Sequence, residues 1–194
     1  MQKRYPIFLN LSDKQVLIAG GGSACLEKLM GLSEIPCQIQ IVSPEISPAV
    51  HEFISGKPNI HVILRTLVET DLEGKDLIFL ATNNGKTNAE FRNLANQKGI
   101  WVNAVDDPVN CDFFSASQVK VGSIRFAIST EGNFAGISSL LRQILEELIP
   151  VEHADDFEAL FEIRRQLKLR LSDPQKRKLA LQSVIKQLRE TYFQ

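Results

Sequence analysis

Asp106 and Asp107 follow directly on the largely apolar run Ile100-Trp101-Val102-Asn103-Ala104-Val105. A carboxylate delivered to the end of a buried strand can accept a proton or hold a cation. Asp107 precedes Pro108 and also suits a turn, which leaves Asp106 as the better base. On local sequence the catalytic and the turn readings stand level. A second kind of chemistry is offered by Gly20-Gly21-Gly22, which follow the apolar run 15–19 and lead into a helical pattern that opens at Ser23 and Ala24. Such a turn leaves backbone N–H groups at a helix N-terminus, where a phosphate can sit. Thr82-Asn83-Asn84 follows a third apolar run, 76–81. Ser129-Thr130 lies between a strand pattern and a helix pattern, where hydroxyls and N–H groups serve an anion or simply cap the helix.

The elements that must carry these residues are readable from periodicity. Strand patterns run over 15–19, 39–42, 60–64, 76–81 and 100–105, and helix patterns over 23–34, 48–55 and 86–98. Strands alternating with helices predict a doubly wound α/β fold with a parallel sheet, in which ligands bind beyond the C-terminal strand ends. The glycine turn, Thr82–Asn84 and Asn103–Asp107 all fall at such ends, so the fold rule brings them to one edge. Beyond Pro108 the pattern changes. A hairpin over 118–121 and 124–129 is followed by helices over 137–149, 153–171 and 174–193. Pro150 stops the first of these, and Ser172 or Asp173 before Pro174 starts the last.

Composition narrows the function classes. The chain has 194 residues with 22 Lys and Arg against 23 Asp and Glu, which offers no electrostatic case for nucleic acid or a membrane surface. The late cluster of basic residues is interleaved with acids and reads as a solvated helix face. No apolar run is long enough for a membrane span or a secretory signal, so a cytoplasmic protein is expected. Cys25, Cys37 and Cys111 form no C-x-x-C and are expected as reduced, packed thiols. His51, His61 and His153 are scattered, and no metal site is expected.

The glycine turn is a partial dinucleotide fingerprint: Cys25 stands where the third glycine belongs. The acid that usually reads a ribose ~20 residues on is absent from the end of the second strand. Ser43 and Pro44 stand there, with Glu45 just after, so NAD and NADP are not distinguished.

The order of motifs resembles the precorrin-2 dehydrogenase and sirohydrochlorin ferrochelatase family, which includes the N-terminal module of siroheme synthase. The residues that carry the likeness are Tyr5-Pro6-Ile7-Phe8-Leu9, the glycine turn with Lys28 after it, Val42-Ser43-Pro44-Glu45, Ala81-Thr82-Asn83, the segment 102–108, Cys111-Asp112-Phe113, Ala127-Ile128-Ser129-Thr130 and Leu140-Leu141-Arg142. The resemblance implies a Rossmann-like NAD-binding domain over 1–112, a dimerisation segment over 113–149 and a small helical domain over 150–194. It implies NAD-dependent oxidation of precorrin-2 to sirohydrochlorin, in some members followed by ferrous iron insertion, by a homodimer. No methyltransferase domain is expected within these residues. The resemblance makes Asp106 the essential base. It sets Gly20, Gly22, Ser23, Ala24, Ser43, Pro44, Glu45, Thr82 and Asn83 against the cofactor, and Asn103, Ser129 and Thr130 against the substrate. Four positions depart from the family pattern: Glu27 for an arginine, Glu131 for a glycine, and Phe134-Ala135 for a serine-proline pair. A regulatory NAD-binding module that has lost catalysis, and a tetrapyrrole chelatase without redox activity, are the alternatives.

Overall fold

The computed structural model describes residues 4–105, 107, 111–131, 134–149 and 154–192. The chain divides into two compact units, 1–115 and 116–194. The expected dimerisation segment and helical domain thus fall together in the second unit, apart from residues 113–115.

The first unit is built on strands β1 (Gln15–Ala19), β2 (Gln38–Ser43), β3 (Ile60–Leu64), β4 (Leu77–Leu80) and β5 (Trp101–Ala104). They form one sheet in the order β3-β2-β1-β4-β5, and every pairing is parallel. Consecutive parallel strands need crossovers, and these are α1 (Ser23–Leu32), α2 (Pro48–Ile54), a 3-10 turn (Glu69–Leu72) and α3 (Gly85–Gln97). The strands expected from the sequence are all present. The third crossover, expected only as a polar lead-in, carries that short turn.

Side chains alternate across a strand, and the two faces of the sheet bury separate clusters. Val16 and Ile18 of β1 pack with Cys25, Leu29, Ile39, Ile41, Val50, Leu77 and Phe79, on the face that α1 and α2 cover. Leu17 and Ala19 pack with Val42, Ile78, Leu80, Phe91, Ala95 and Val102, on the α3 face. β1 and β4 are buried almost throughout, as central strands covered on both faces must be. Asp76 ties their N-terminal ends together, accepting from the Gln15 backbone N–H at 2.8 Å and from Lys14 Nζ at 2.9 Å.

Local chemistry sets the helix limits. Ser47 Oγ accepts from Val50 N–H and Pro48 occupies the first turn of α2. Asn84 Oδ1 accepts from the N–H groups of Lys86 and Thr87 and starts α3. α1 is shorter than its expected span of 23–34, because Ser33 Oγ donates to the Met30 carbonyl and closes the last turn.

The second unit opens with an antiparallel hairpin, β6 (Ser117–Val121) and β7 (Ile124–Ile128). Then come α4 (Ala135–Leu148), α5 (Ala154–Arg170) and α6 (Pro174–Tyr192). Asp173 Oδ1 accepts from the N–H groups of Gln175 and Lys176, so Asp173 rather than Ser172 caps α6. Among the described residues no helix is long and apolar enough to cross a membrane.

Candidate functional site

Strand order reverses beside β1: the chain goes from β1 outward to β2 and β3, then returns to β4. Ligands of open parallel sheets bind beyond the strand ends at this point. The glycine turn sits there, and its three residues differ in what surrounds them. Gly20 has φ +118°, and a Cβ on it would lie 2.3 Å from the Ala81 carbonyl oxygen. A Cβ on Gly21 would lie 2.2 Å from the Glu45 carbonyl oxygen. Gly20 N–H also donates to Val42 O at 2.9 Å, and Ser47 N–H donates to Gly21 O at 2.8 Å. The first two glycines therefore let the turn wedge between the ends of β4 and β2.

Gly22 is different. A Cβ there would meet nothing within 4 Å, and Gly22 is the N-cap residue of α1. No side chain among the described residues caps that helix, and its first turn holds no acid. Its leading N–H groups, including those of Ser23 and Ala24, have no acceptor within the helix. The positive end of the helix dipole points the same way. This is a cradle for an anion.

The turn opens onto a cleft of about 1050 Å³. Its walls are the glycine turn, the segment from Val42 to Pro48, the loop from Thr66 to Glu69, the loop from Ala81 to Asn84, and Thr87, Glu90, Phe91 and Leu94 of α3. That is roomy for a small-molecule site, which typically encloses roughly 300–1,000 Å³. Leu67, Val68, Phe91 and Leu94 supply an apolar end suited to a flat ring. The glycine cradle supplies the anion end, so the residues present fit a dinucleotide.

The structure brings Gly20, Gly22, Ser43, Pro44, Glu45, Thr82 and Asn83 together on this one cleft. Thr82 is held in place: its hydroxyl donates to Asn88 Oδ1 at 2.6 Å, and Asn88 Nδ2 donates back to Thr82 O at 3.1 Å. Asn103 stands elsewhere. It is 5% exposed, on the strand face it shares with Phe79, and its Nδ2 donates to the Phe113 carbonyl at 2.8 Å. Its side chain ties β5 to the returning chain and does not line the cleft. Asp106 lies outside the described residues. Val105, just before it, donates its N–H to Leu80 O at 3.1 Å and so continues the β4–β5 pairing at the C-terminal edge.

Ser129 and Thr130 belong to the second unit, in the loop before α4. Ser129 Oγ accepts from Glu131 N–H at 3.1 Å, and Thr130 Oγ1 donates to Phe134 O at 3.1 Å. Glu131 has φ +52°. That left-handed conformation favours glycine, which explains why a glycine is the expected residue at this position.

Two supporting residues escaped the sequence reading, and a third has a bonding role beyond the packing expected of it. Asn88, which braces Thr82, is one. Asp71 is another: it is 6% exposed and takes two bonds of 2.7 Å from the Arg65 guanidinium and one of 2.9 Å from Val68 N–H. The guanidinium holds its carboxyl below the usual carboxylate range, with the Val68 N–H acting in the same direction. This pair fixes the loop that forms one wall of the cleft. Cys111 is the third. It packs as a buried thiol, as expected, and also accepts from Ala104 N–H at 3.1 Å, with the carbonyls of Ala104 and Asp107 in reach of its hydrogen. Asp112 adds two bonds to Val102, its N–H to the carbonyl at 2.9 Å and its Oδ2 to the N–H at 2.8 Å. Burial pushes the Cys111 thiol up, and that of Cys25 to about 12, so neither is a ready nucleophile.

A parallel sheet in this order, with a glycine turn and a dinucleotide-sized cleft at its switch point, defines a dinucleotide-binding domain. Residues 7–117 match the model of the family described as "Putative NAD(P)-binding", and the chain belongs to that family. The siroheme synthase of Thioalkalivibrio sulfidiphilus is 28% identical over 174 residues, which is 90% of this chain and 35% of that protein. Siroheme synthase 2 of Aeromonas salmonicida is 36% identical over 145 residues, 75% of this chain and 30% of that protein. The chain therefore spans about a third of the length of the curated relatives it matches. Among solved structures, SirC, precorrin-2 dehydrogenase, superposes with a TM-score of 0.79 at 21% identity, covering 94% of this chain and 89% of that one. That likeness is one of fold.

Proposed function

We propose that the chain is an NAD-dependent dehydrogenase that converts precorrin-2 to sirohydrochlorin, acting in the cytoplasm as a homodimer. The observation that carries this reading is the assembly of the glycine turn, Ser43–Glu45 and Thr82–Asn83 on one cleft in a chain related to siroheme synthases along 90% of its length. A bound nicotinamide dinucleotide supplies the hydride acceptor. Gly22 and the first turn of α1 would hold its pyrophosphate. Thr82, braced by Asn88, forms the wall opposite the β2 end.

Oxidation of precorrin-2 removes a hydride and a proton. A bound acceptor would take the hydride, and the proton needs a base. Asp106, one residue beyond the β4–β5 pairing, is assigned that role. Ser129 supports a part in substrate binding: its oxygen already accepts from Glu131 N–H, which leaves its hydrogen for a carboxylate of the substrate. The same base would take pyrrole protons if ferrous iron is inserted afterwards, with the metal as substrate. The dimer is supported by α4, whose Ile137, Leu140, Leu141, Ile144 and Leu148 form one exposed apolar stripe.

The test is to follow NAD reduction with precorrin-2 and then iron uptake by sirohydrochlorin. Reduction is the expected result, and its absence in a chain that binds NAD would favour the regulatory module. Asp106→Ala is expected to keep its fold and lose at least about 100-fold in turnover. Wild-type turnover by that variant overturns the assignment of the base.

A further inference from the structure

Charge is distributed unevenly along the second unit. Residues 164–189 hold nine Lys and Arg and one acid, Asp173, in a chain whose totals are 22 basic and 23 acidic residues. From the sequence this cluster reads as a solvated face interleaved with acids. In the fold the neighbouring acids are already used. Glu162 accepts from Arg165 at 2.7 and 2.8 Å, and Asp173 Oδ1 caps α6.

A groove of about 360 Å³ runs along the seam between α5 and α6. Four cationic residues line it: Arg164 and Lys168 of α5, Arg177 and Lys178 of α6. Leu167, Leu181 and Ile185 give it an apolar wall, and no Asp or Glu among the described residues lines it. Arg177 is fixed in place, its Nη1 donating to the carbonyls of Leu171 and Ser172 at 2.6 and 3.0 Å. Arg164, Lys168 and Lys178 have neither an ion pair nor a side-chain hydrogen bond among the described residues. Arg177 and Lys178 also stand near the N-terminus of α6, whose first turn holds no acid. Cations there run against the helix dipole. Positive charge is thus gathered at one place against local preference, with no carboxylate of the groove to balance it.

These features select among anions. An extended polyanion, such as nucleic acid or a lipid surface, would also meet the rest of the chain, which holds 22 of the 23 acids. A small inorganic anion has no use for the apolar wall. A compact polycarboxylate with a flat apolar ring matches both the wall and the cations, and the volume lies within the range of small-molecule sites, roughly 300–1,000 Å³. We infer that the α5–α6 groove is a second ligand site, which takes one edge of a polycarboxylate tetrapyrrole. The ring lies against the leucines, and its acid arms meet Arg164, Lys168 and Lys178. Precorrin-2 and sirohydrochlorin share this chemistry. None of the groove residues lines the cofactor cleft. The identity of the ligand rests on the substrate reading above and deepens it.

The experiment is equilibrium binding of sirohydrochlorin, and of precorrin-2 without NAD, to the full chain. Wild type is compared with the triple variant Arg164→Gln, Lys168→Gln, Lys178→Gln, which leaves Arg177 to hold the turn. The control is Lys186→Gln, Arg189→Gln, which removes charge from α6 outside the groove. The triple variant is expected to lose one bound tetrapyrrole per chain or to weaken it at least about 10-fold, while melting with wild type and keeping its rate of precorrin-2 oxidation. The control variant is expected to bind as wild type does. Citrate, a polycarboxylate without a ring, is expected not to compete at equal concentration. Binding unchanged in the triple variant overturns the proposal, as does equal weakening in the control or competition by citrate. Loss of a bound tetrapyrrole from the triple variant of a chain that does not oxidise precorrin-2 overturns the dehydrogenase reading and leaves the groove standing. Oxidation by a chain whose tetrapyrrole binding ignores the triple variant does the reverse.

Discussion

A methyl group added at Gly21 would meet the Glu45 carbonyl oxygen at 2.2 Å, whereas one added at Gly22 would meet nothing within 4 Å. Adjacent residues of one type are therefore there for different reasons. Gly21→Ala is expected to destabilise the fold by about 1–3 kcal/mol, because the obstacle is backbone and cannot rotate aside. Gly22 has φ −94°, which alanine adopts freely, so Gly22→Ala should melt with wild type and yet bind NAD at least about 10-fold more weakly. Urea unfolding and NAD titration of the two variants check this, and a stable Gly21→Ala protein would show that the turn can move. Asp71 gives a pH signature. Its folded pKa lies below that of the unfolded chain, because Arg65 and the Val68 N–H favour the carboxylate. As pH falls the unfolded state takes up the proton first. The stabilisation is thus full above the unfolded value of about 3.9 and is lost as pH drops through the folded value. Asp71→Asn should be less stable by roughly 1–3 kcal/mol at neutral pH. Its deficit should shrink in acid, measured by urea unfolding across that range; a deficit constant with pH would mean the ionised form contributes nothing.

The strands and helices were readable from the sequence because burial writes itself as periodicity. β1 and β4 must be apolar on both faces, and the runs at 15–19 and 76–81 show it. The glycine turn and the cap residues of α2, α3 and α6 also carry local signals. Asn88 and Asp71 do not, nor does the bonding of Cys111. Each acts through one side chain bonded to a loop several residues away, and neither spacing nor residue type marks which loop that is. Asn103 has a second use that its residue type did not mark. The resemblance gives it a substrate role, and in the fold its Nδ2 also donates to Phe113 O and ties β5 to the returning chain. α4 lies between these extremes. Its stripe is periodic, as expected of a packed helix, yet Leu140 is 55% exposed and Leu148 69%. A face of that kind is completed by association. Leu141→Glu, which would put a carboxylate from each copy into the contact, is expected to weaken dimerisation by at least about 100-fold. Sedimentation of the variant should show a monomer where wild type shows a dimer, and a monomeric wild type would remove α4 as an interface.

The two units differ in what they can bury for themselves. Both hydrophobic clusters, one on each face of the sheet, are made entirely of residues from the first unit. The described cleft is lined entirely by that unit as well. In the second unit Val119 and Val121 are the only buried apolar residues among those described, and α5 buries none. A chain segment with so small a core does not repay its conformational entropy. Residues 1–115, produced alone, are therefore expected to unfold cooperatively in urea and to bind NAD within about 10-fold of the full chain. Residues 116–194, produced alone, are expected to show helix content without a cooperative transition. Precorrin-2 oxidation should be absent from the first fragment even with NAD bound, since the α4 stripe proposed to pair two copies is missing from it. If that fragment oxidised precorrin-2 at the full rate, neither the second unit nor the dimer would be needed for the chemistry. If it failed to bind NAD, the cleft drawn by the glycine turn, Glu45 and Thr82 would depend on residues beyond 115, despite being walled by residues before it.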